Sequence, residues 1–126
     1  MKTRYGDAPP YVTKDGTTIR ELMHPALHGG RNQSLAEAVL EPGASSTVHR
    51  HLVTEEIYHF TGGRGIMILG GVEFAVEAGD TVLIAPGTAH GLCNTGADPL
   101  RLLCCCAPPY SHDDTELIEA LAGKES

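Results

Sequence analysis

The chain contains no tryptophan, and aromatic residues make up only 5% of its 126 positions. Platforms for stacking nucleic-acid bases are therefore not expected. Cations are scarce as well: nine Lys and Arg stand against sixteen Asp and Glu, a formal net charge of −7. A duplex binder needs a basic face to displace phosphate counterions, so no nucleic-acid partner is expected. No apolar run nears the ~20 residues of a membrane-spanning helix. The opening Met1-Lys2-Thr3-Arg4-Tyr5-Gly6-Asp7 lacks the apolar stretch of a secretory leader. The expectation is a cytoplasmic protein without a membrane partner. Internal repeats and low-complexity tracts are also missing.

Cysteine is present but poorly placed for cross-links. The four thiols are Cys93, Cys104, Cys105 and Cys106, with no C-x-x-C pair among them. Neighbouring residues on a strand point to opposite faces, so a contiguous triplet is a poor disulfide framework. A reducing compartment fits this usage. Within the apolar run Leu100–Cys106 the triplet is expected to be inert packing.

What is present is an ordinary globular composition, 41% hydrophobic and 20% charged, at a length that supports one domain and one core. Short apolar stretches recur at Thr18–Met23, Leu35–Glu41, Ser46–His51, Glu56–Phe60, Gly65–Leu69, Val72–Val76, Thr81–Ala85, His90–Asn94 and Leu100–Cys106. Between them lie Pro42-Gly43, Gly62-Gly63, Gly70-Gly71, Ala78-Gly79-Asp80, Pro86-Gly87 and Asn94-Thr95-Gly96. Closely spaced strands with no intervening helices imply an all-β antiparallel sandwich or barrel. Residues 1–16 are expected as an N-terminal arm, 17–106 as the barrel and 107–126 as a tail. The tail is expected to carry a short C-terminal helix, capped by Asp113 or Asp114, with Leu117, Ile118 and Leu121 as its apolar stripe and Gly123 as its stop.

The chemistry concentrates around His49-Arg50-His51. Residues two apart on a strand face the same side, so both imidazoles enter one space. Glu55 and Glu56 follow across a loop, and His90 follows after four further strands. Three imidazoles and a carboxylate suit one divalent transition metal: Fe, Mn, Ni, Co, Cu or Zn. Such a set leaves coordination positions open for a ligand, as a working site requires. Strand parity offers two versions of the carboxylate. If Glu56 faces inward, Tyr58 and Phe60 do too; if Glu55 does, Ile57 and His59 accompany it.

Two motifs frame these residues. Gly43, His49, His51, Glu56 and Gly63 keep the spacing of the first cupin motif. Gly79-Asp80-Thr81-Val82-Leu83-Ile84-Ala85-Pro86-Gly87-Thr88-Ala89-His90, with Asn94, resembles the second, except that Ala85 stands where the family usually has a proline. The resemblance spans roughly Leu35 to Cys106. It implies a double-stranded β-helix, a cupin or jelly-roll barrel, with metal ligands His49, His51, Glu56 and His90, and it favours Glu56 over Glu55. The tail Cys104-Cys105-Cys106-Ala107-Pro108-Pro109-Tyr110-Ser111-His112-Asp113 is similar to that of small bacterial cupins loosely labelled mannose-6-phosphate isomerase-like. Through it Tyr110 and His112 become candidates for folding over the barrel mouth.

Cupins host many chemistries, so the resemblance implies a site rather than a reaction. The leading expectation is a metal-dependent enzyme acting on a small oxygen-rich metabolite, with Tyr58 as the catalytic proton-transfer residue. Dioxygenase or decarboxylase chemistry ranks ahead of sugar-phosphate isomerisation, because only Arg50, Arg64 and Arg101 lie near the motifs to meet a phosphate. Arg101 is expected as a solvated strand residue, and His24, His28 and His59 as ordinary structural ones. The alternative is a non-catalytic, metal-dependent module binding a small ligand; a storage role fits less well with a complete ligand set. A homodimer is expected, formed through sheet faces around Leu35–Leu40 or through the N-terminal arm.

Overall fold

A computed structural model of the chain describes residues 1–118. Its strands are β1 (Tyr11–Val12), β2 (Thr18–Met23), β3 (Ser34–Leu40), β4 (His49–His51), β5 (Glu55–Gly62), β6 (Arg64–Leu69), β7 (Val72–Glu77), β8 (Thr81–Ile84), β9 (His90–Asn94), β10 (Leu100–Ala107) and β11 (Thr115–Leu117). One α-helical turn, α1 (Pro25–His28), separates β2 from β3. The strands form a six-stranded sheet in the order β1-β2-β3-β10-β5-β8 and a five-stranded sheet in the order β11-β4-β9-β6-β7. All pairings are antiparallel. This is the double-stranded β-helix that the motifs imply.

Alternation builds the core. Along β5 the even-numbered Glu56, Tyr58 and Phe60 are buried and the odd-numbered Glu55, Ile57 and His59 are exposed. Along β10, Leu100, Leu102, Cys104 and Cys106 point inward. Phe60, Met67, Ile84, Leu100 and Leu102 are fully enclosed between the sheets. The β6–β7 hairpin pairs Leu69 with Val72 across Gly70-Gly71, whose φ angles of 57° and 84° are those a two-residue primed turn demands and glycine alone adopts without strain. The turn before His90 also forms despite Ala85: Thr88 N–H donates to Ala85 O (3.2 Å), and Gly87 N–H donates to His51 O (2.6 Å). The role of Asn94 is structural, since its buried amide donates to Leu40 O and Asp98 O.

Both ends depart from expectation. Within the arm, Tyr11 pairs with Ile19, so β1 extends the six-stranded sheet. Its connection to β2 is tight, with Thr13 N–H donating to Thr17 O and Gly16 N–H to Thr13 O. At the other end, the expected start of a helix is instead a 3-10 turn, His112–Asp114, followed by strand β11. Ser111 caps the 3-10 turn, and Thr115–Leu117 satisfies its backbone by pairing with the open edge of β4. Edge pairing supplies hydrogen bonds that an isolated, short helix would lack. Ile118, the last described residue, is helical; the remainder of the expected helix, including Leu121 and Gly123, lies outside the described residues. Among the described residues no helix is long and apolar enough to cross a membrane.

The two faces of β5 should respond differently to truncation. Phe60→Ala is expected to lower unfolding free energy by about 3–5 kcal/mol, while Ile57→Ala on the exposed face should cost well under half of that. Urea denaturation of both variants checks the assignment; equal losses would contradict the alternation.

Candidate metal centre

β4 buries both His49 and His51, while Arg50 between them turns outward to Glu116 (2.9 Å). β9 lies alongside, with His90 directly opposite His49. The imidazole centroids are 4.2 to 5.4 Å apart, and one ring nitrogen from each His lies within 4.8 Å of the others. Glu56 reaches the cluster from the other sheet, its Oε1 lying 3.2 Å from His51 Nε2 and 3.4 Å from His90 Nε2. The structure thus brings His49, His51, Glu56 and His90 together and leaves Glu55 on the outer face.

The hydrogen bonds behind the rings show which nitrogens face the cluster. His49 Nδ1–H donates to Thr47 O (2.8 Å) and His90 Nδ1–H to Thr88 O (2.9 Å). A carbonyl only accepts, so each proton sits on Nδ1 and each Nε2 presents a lone pair inward. His51 Nδ1 is 3.1 Å from Thr115 Oγ1, whose own hydrogen goes to Ser111 O at 2.9 Å. Asp15 Oδ2 lies 3.4 Å from His49 Nδ1 and adds a second acceptor there.

This arrangement fits a bound cation. Inward lone pairs facing a carboxylate oxygen repel one another unless a positive charge lies among them. Glu56 Oε1 and His90 Nε2 are buried without a hydrogen-bond partner, a state that buried polar atoms rarely occupy. Three imidazole nitrogens and one carboxylate oxygen are an appropriate donor set for a divalent transition ion. Positive charge beside Glu56 offsets the cost of burying its carboxylate, so a cation bound among these ligands favours its ionised form. Burial, and then neighbouring His90, lower His49 against the opposing pull of Asp15, which keeps it neutral. A neutral His49 and an ionised Glu56 are the protonation states that metal binding requires.

The cluster opens into a cavity of about 40 Å³ whose walls include Tyr11, Asp15, Glu21, Tyr58, Cys104 and Tyr110. Among the described residues no Lys or Arg lines it. Arg50 is paired outside with Glu116, and Arg101 lies on the outer face at 3.4 Å from Glu37. Burial, and then the Glu56 charge, raise the Tyr58 phenol well above its ordinary value, so it faces the cavity as a neutral donor. Tyr110 folds over the site with its ring centroid 5.9 Å from that of His51, and burial pushes its phenol up to about 12. His112 stays exposed, 3.1 Å from the Tyr110 hydroxyl. His24 caps α1 and contacts Tyr110 O, His28 accepts from the His24 amide, and His59 meets Thr81 on the surface.

The cysteine triplet does more than pack. Cys104 and Cys106 point inward, and Cys106 Sγ–H donates to Glu56 Oε2 at 3.1 Å. Burial, and then Glu56, raise that thiol, so it remains a donor. Sequence reasoning also missed Tyr11, Asp15, Glu21 and Thr115. Tyr11 donates to Glu21 Oε1 at 2.6 Å, and both reach the cavity because β1 and β2 form a hairpin. The Asp15-Gly16 dipeptide was an available signal for that hairpin. Nothing local to Thr115 marks it, because its role arises from pairing with a strand 64 residues earlier.

The family model described as "Cupin domain" matches residues 36–106. An uncharacterized protein of Methanocaldococcus jannaschii is 50% identical over 119 residues, 94% of this chain and 95% of that protein. The structure of a predicted oxalate decarboxylase from Thermotoga maritima superposes with a TM-score of 0.75 at 24% identity, covering 86% of this chain and 99% of that one. The polyketide cyclase RemF from Streptomyces resistomycificus superposes with a TM-score of 0.79 at 19% identity, covering 94% and 84% respectively. At these identities the two structures show a shared fold.

Two outcomes test the centre. Glu56→Gln is expected to weaken divalent-metal affinity at least about 10-fold, the scale of losing even an outer-sphere partner, whereas Glu55→Gln leaves it unchanged; calorimetric titration of both variants reads the difference. Metal affinity should also fall as the solution is acidified, because protons compete for imidazole nitrogen. With three imidazoles against one carboxylate in the donor set, the loss should follow imidazole rather than carboxylate protonation. A titration between pH ~8 and ~4 that shows loss only near the ordinary carboxylate range would contradict this.

Proposed function

The chain belongs to the cupin family, and on that premise we propose that it is a metal-dependent enzyme acting on a small oxygen-rich metabolite, with Tyr58 as its proton donor. The observation that carries this reading is the buried cluster of three imidazoles and one carboxylate opening, beside a neutral phenol, into a small cavity without cationic side chains. Fe, Mn, Co, Ni, Cu and Zn all suit the donor set; elemental analysis of untagged protein identifies the ion.

The lining narrows the substrate. A phosphate is usually met by converging cations, which this cavity lacks, so sugar-phosphate isomerisation is the weaker reading. A cavity of about 40 Å³ is also far below the roughly 300–1,000 Å³ of drug-sized pockets, which favours a compact acid over a polyketide-sized ligand. The fold likeness to a predicted oxalate decarboxylase supports decarboxylase chemistry, with dioxygenase chemistry as the version suited to iron.

A divalent ion bound here supplies Lewis acidity and, if redox-active, electron-transfer chemistry. The chain's own residues supply the rest. Cys106 orients Glu56 by donating to the oxygen that faces away from His51 and His90. Ile19, Leu92 and Leu102 make an apolar wall that limits water and strengthens local electrostatics. Tyr58 holds its phenolic proton and can deliver it to negative charge developing on a substrate.

A second reading, a non-catalytic module that binds a small ligand, draws on one observation. Among the described residues no side chain hydrogen-bonds the Tyr58 hydroxyl, so no protein relay reloads it with a proton. Turnover separates the two. Metal-reconstituted protein is to be assayed against oxalate and small α-hydroxy and α-keto acids for carbon dioxide release and oxygen uptake. Tyr58→Phe is expected to lower kcat by about 100-fold or more, within the range of general-acid contributions, while metal occupancy is retained. Tight binding of these acids with no turnover would favour the binding module.

A further inference from the structure

The three histidines are not held alike. His49 and His90 give Nδ1–H to backbone carbonyls two residues earlier in their own segments, Thr47 and Thr88. Those acceptors cannot donate, so the tautomer of each ring is settled locally. His51 faces the hydroxyl of Thr115 instead, at 3.1 Å. A hydroxyl both donates and accepts. It accepts from His51 here because its own hydrogen is committed to Ser111 O at 2.9 Å. Freed from that commitment, the hydroxyl could donate to Nδ1, which would move the imidazole proton to Nε2 and block the lone pair facing the cluster.

That commitment depends on the docked C-terminal segment. Thr115 sits opposite His51 in the β4–β11 pairing and is only 5% exposed. The Asp114 carboxylate next to it accepts from the amides of Val53 (2.9 Å) and Thr54 (3.0 Å), in the loop that joins His51 to Glu56. Lys14 Nζ donates to Thr115 O (2.9 Å) and His112 O (3.1 Å), which ties the segment to the β1–β2 hairpin. Lys14, Ser111, His112, Asp114 and Thr115 all lie outside the stretch 36–106 matched by the family model.

We propose that Thr115 is a positioning residue of the metal centre. Through the relay from His51 Nδ1–H to Thr115 Oγ1 and on to Ser111 O, it holds His51 Nε2 ready to receive a cation. This rests on the metal-centre reading above. The C-terminal segment thereby becomes part of the site: its docking and the affinity for metal are coupled.

The test compares Thr115→Val, which keeps the shape but lacks the hydroxyl, with Thr115→Ser, which keeps the hydroxyl, in the full-length chain. Zn(II) and Mn(II) affinities are read by calorimetry. The His51 tautomer is read in metal-free protein from imidazole nitrogen shifts by NMR. Thr115→Val is expected to weaken metal binding by about 10- to 100-fold, as loss of an outer-sphere partner does, and to erase the uniform Nδ1–H signature of His51. Thr115→Ser should retain both the affinity and the signature, a rescue that a purely packing role would not produce. Equal affinity of the valine variant and the wild type would overturn the proposal, as would a wild-type His51 protonated on Nε2. If the valine variant fails to fold, the wild-type spectrum and the serine variant still decide. If the wild type takes up no metal, the metal centre itself fails, while the tautomer spectra separately decide whether Thr115 orients His51.

Discussion

An ionised carboxylate oxygen that lies 3.2 and 3.4 Å from two imidazole nitrogens, with its own hydrogen-bonding capacity unmet, is the constraint around which the rest of this barrel is organised. Three rings whose Nδ1 protons point away from the centre leave lone pairs converging on negative charge. A cation placed among them would complete the group. The surrounding contacts maintain the arrangement. Two backbone carbonyls and one hydroxyl fix the rings from behind, and a neutral thiol fixes the far oxygen of Glu56. Each partner is a donor or acceptor of the correct sense, which is what allows so many polar atoms to be buried together.

The sheets supply this geometry through parity and pairing. β4 contributes two ligands because it is a strand, and β9 places a third against the first because the strands are neighbours. β5 brings the carboxylate from the opposite sheet, along with Tyr58 two residues on. β10 pairs with β5, setting Cys106 opposite Glu56 and Cys104 opposite Tyr58. A one-residue slip of β10 against β5 would turn Cys104 and Cys106 outward and bring Leu103 and Cys105 inward in their place. The register is held from both sides, since β10 is also paired along its length with β3.

The cavity's character comes largely from segments outside the family-matched stretch. The β1–β2 hairpin contributes Tyr11, Asp15 and Glu21, and the C-terminal segment contributes Tyr110 and Thr115. These residues make the enclosure acidic and hydroxyl-rich without any cation. They also knit the two ends of the chain together through Lys14. A barrel whose core motifs are shared with many proteins can acquire its own ligand preference in this way, with the scaffold left intact.

Much of this was legible in the amino-acid sequence. The i, i+2 spacing of His49 and His51, the glycine and proline punctuation and the period-two burial of β5 are local properties, and local rules recover them. The same parity rule offered both Glu55 and Glu56; the choice between them came from motif resemblance, and the placement of Glu56 in the core agrees with it. Cys104–Cys106 read as packing because a thiol's partner cannot be seen in its own strand; only the β10–β5 register reveals that Cys106 meets Glu56. The tail read as a helix because Asp113, Leu117 and Ile118 have helical spacing, while the open edge of β4 that captures Thr115–Leu117 is a feature of the folded sheet alone. The sequence by itself therefore determined the central strands and the barrel and, through motif resemblance, the candidate ligands. Tertiary structure decided which hydrogens face the cluster, what encloses the cavity and why Thr115 matters, because each of these depends on atoms brought together from distant parts of the chain.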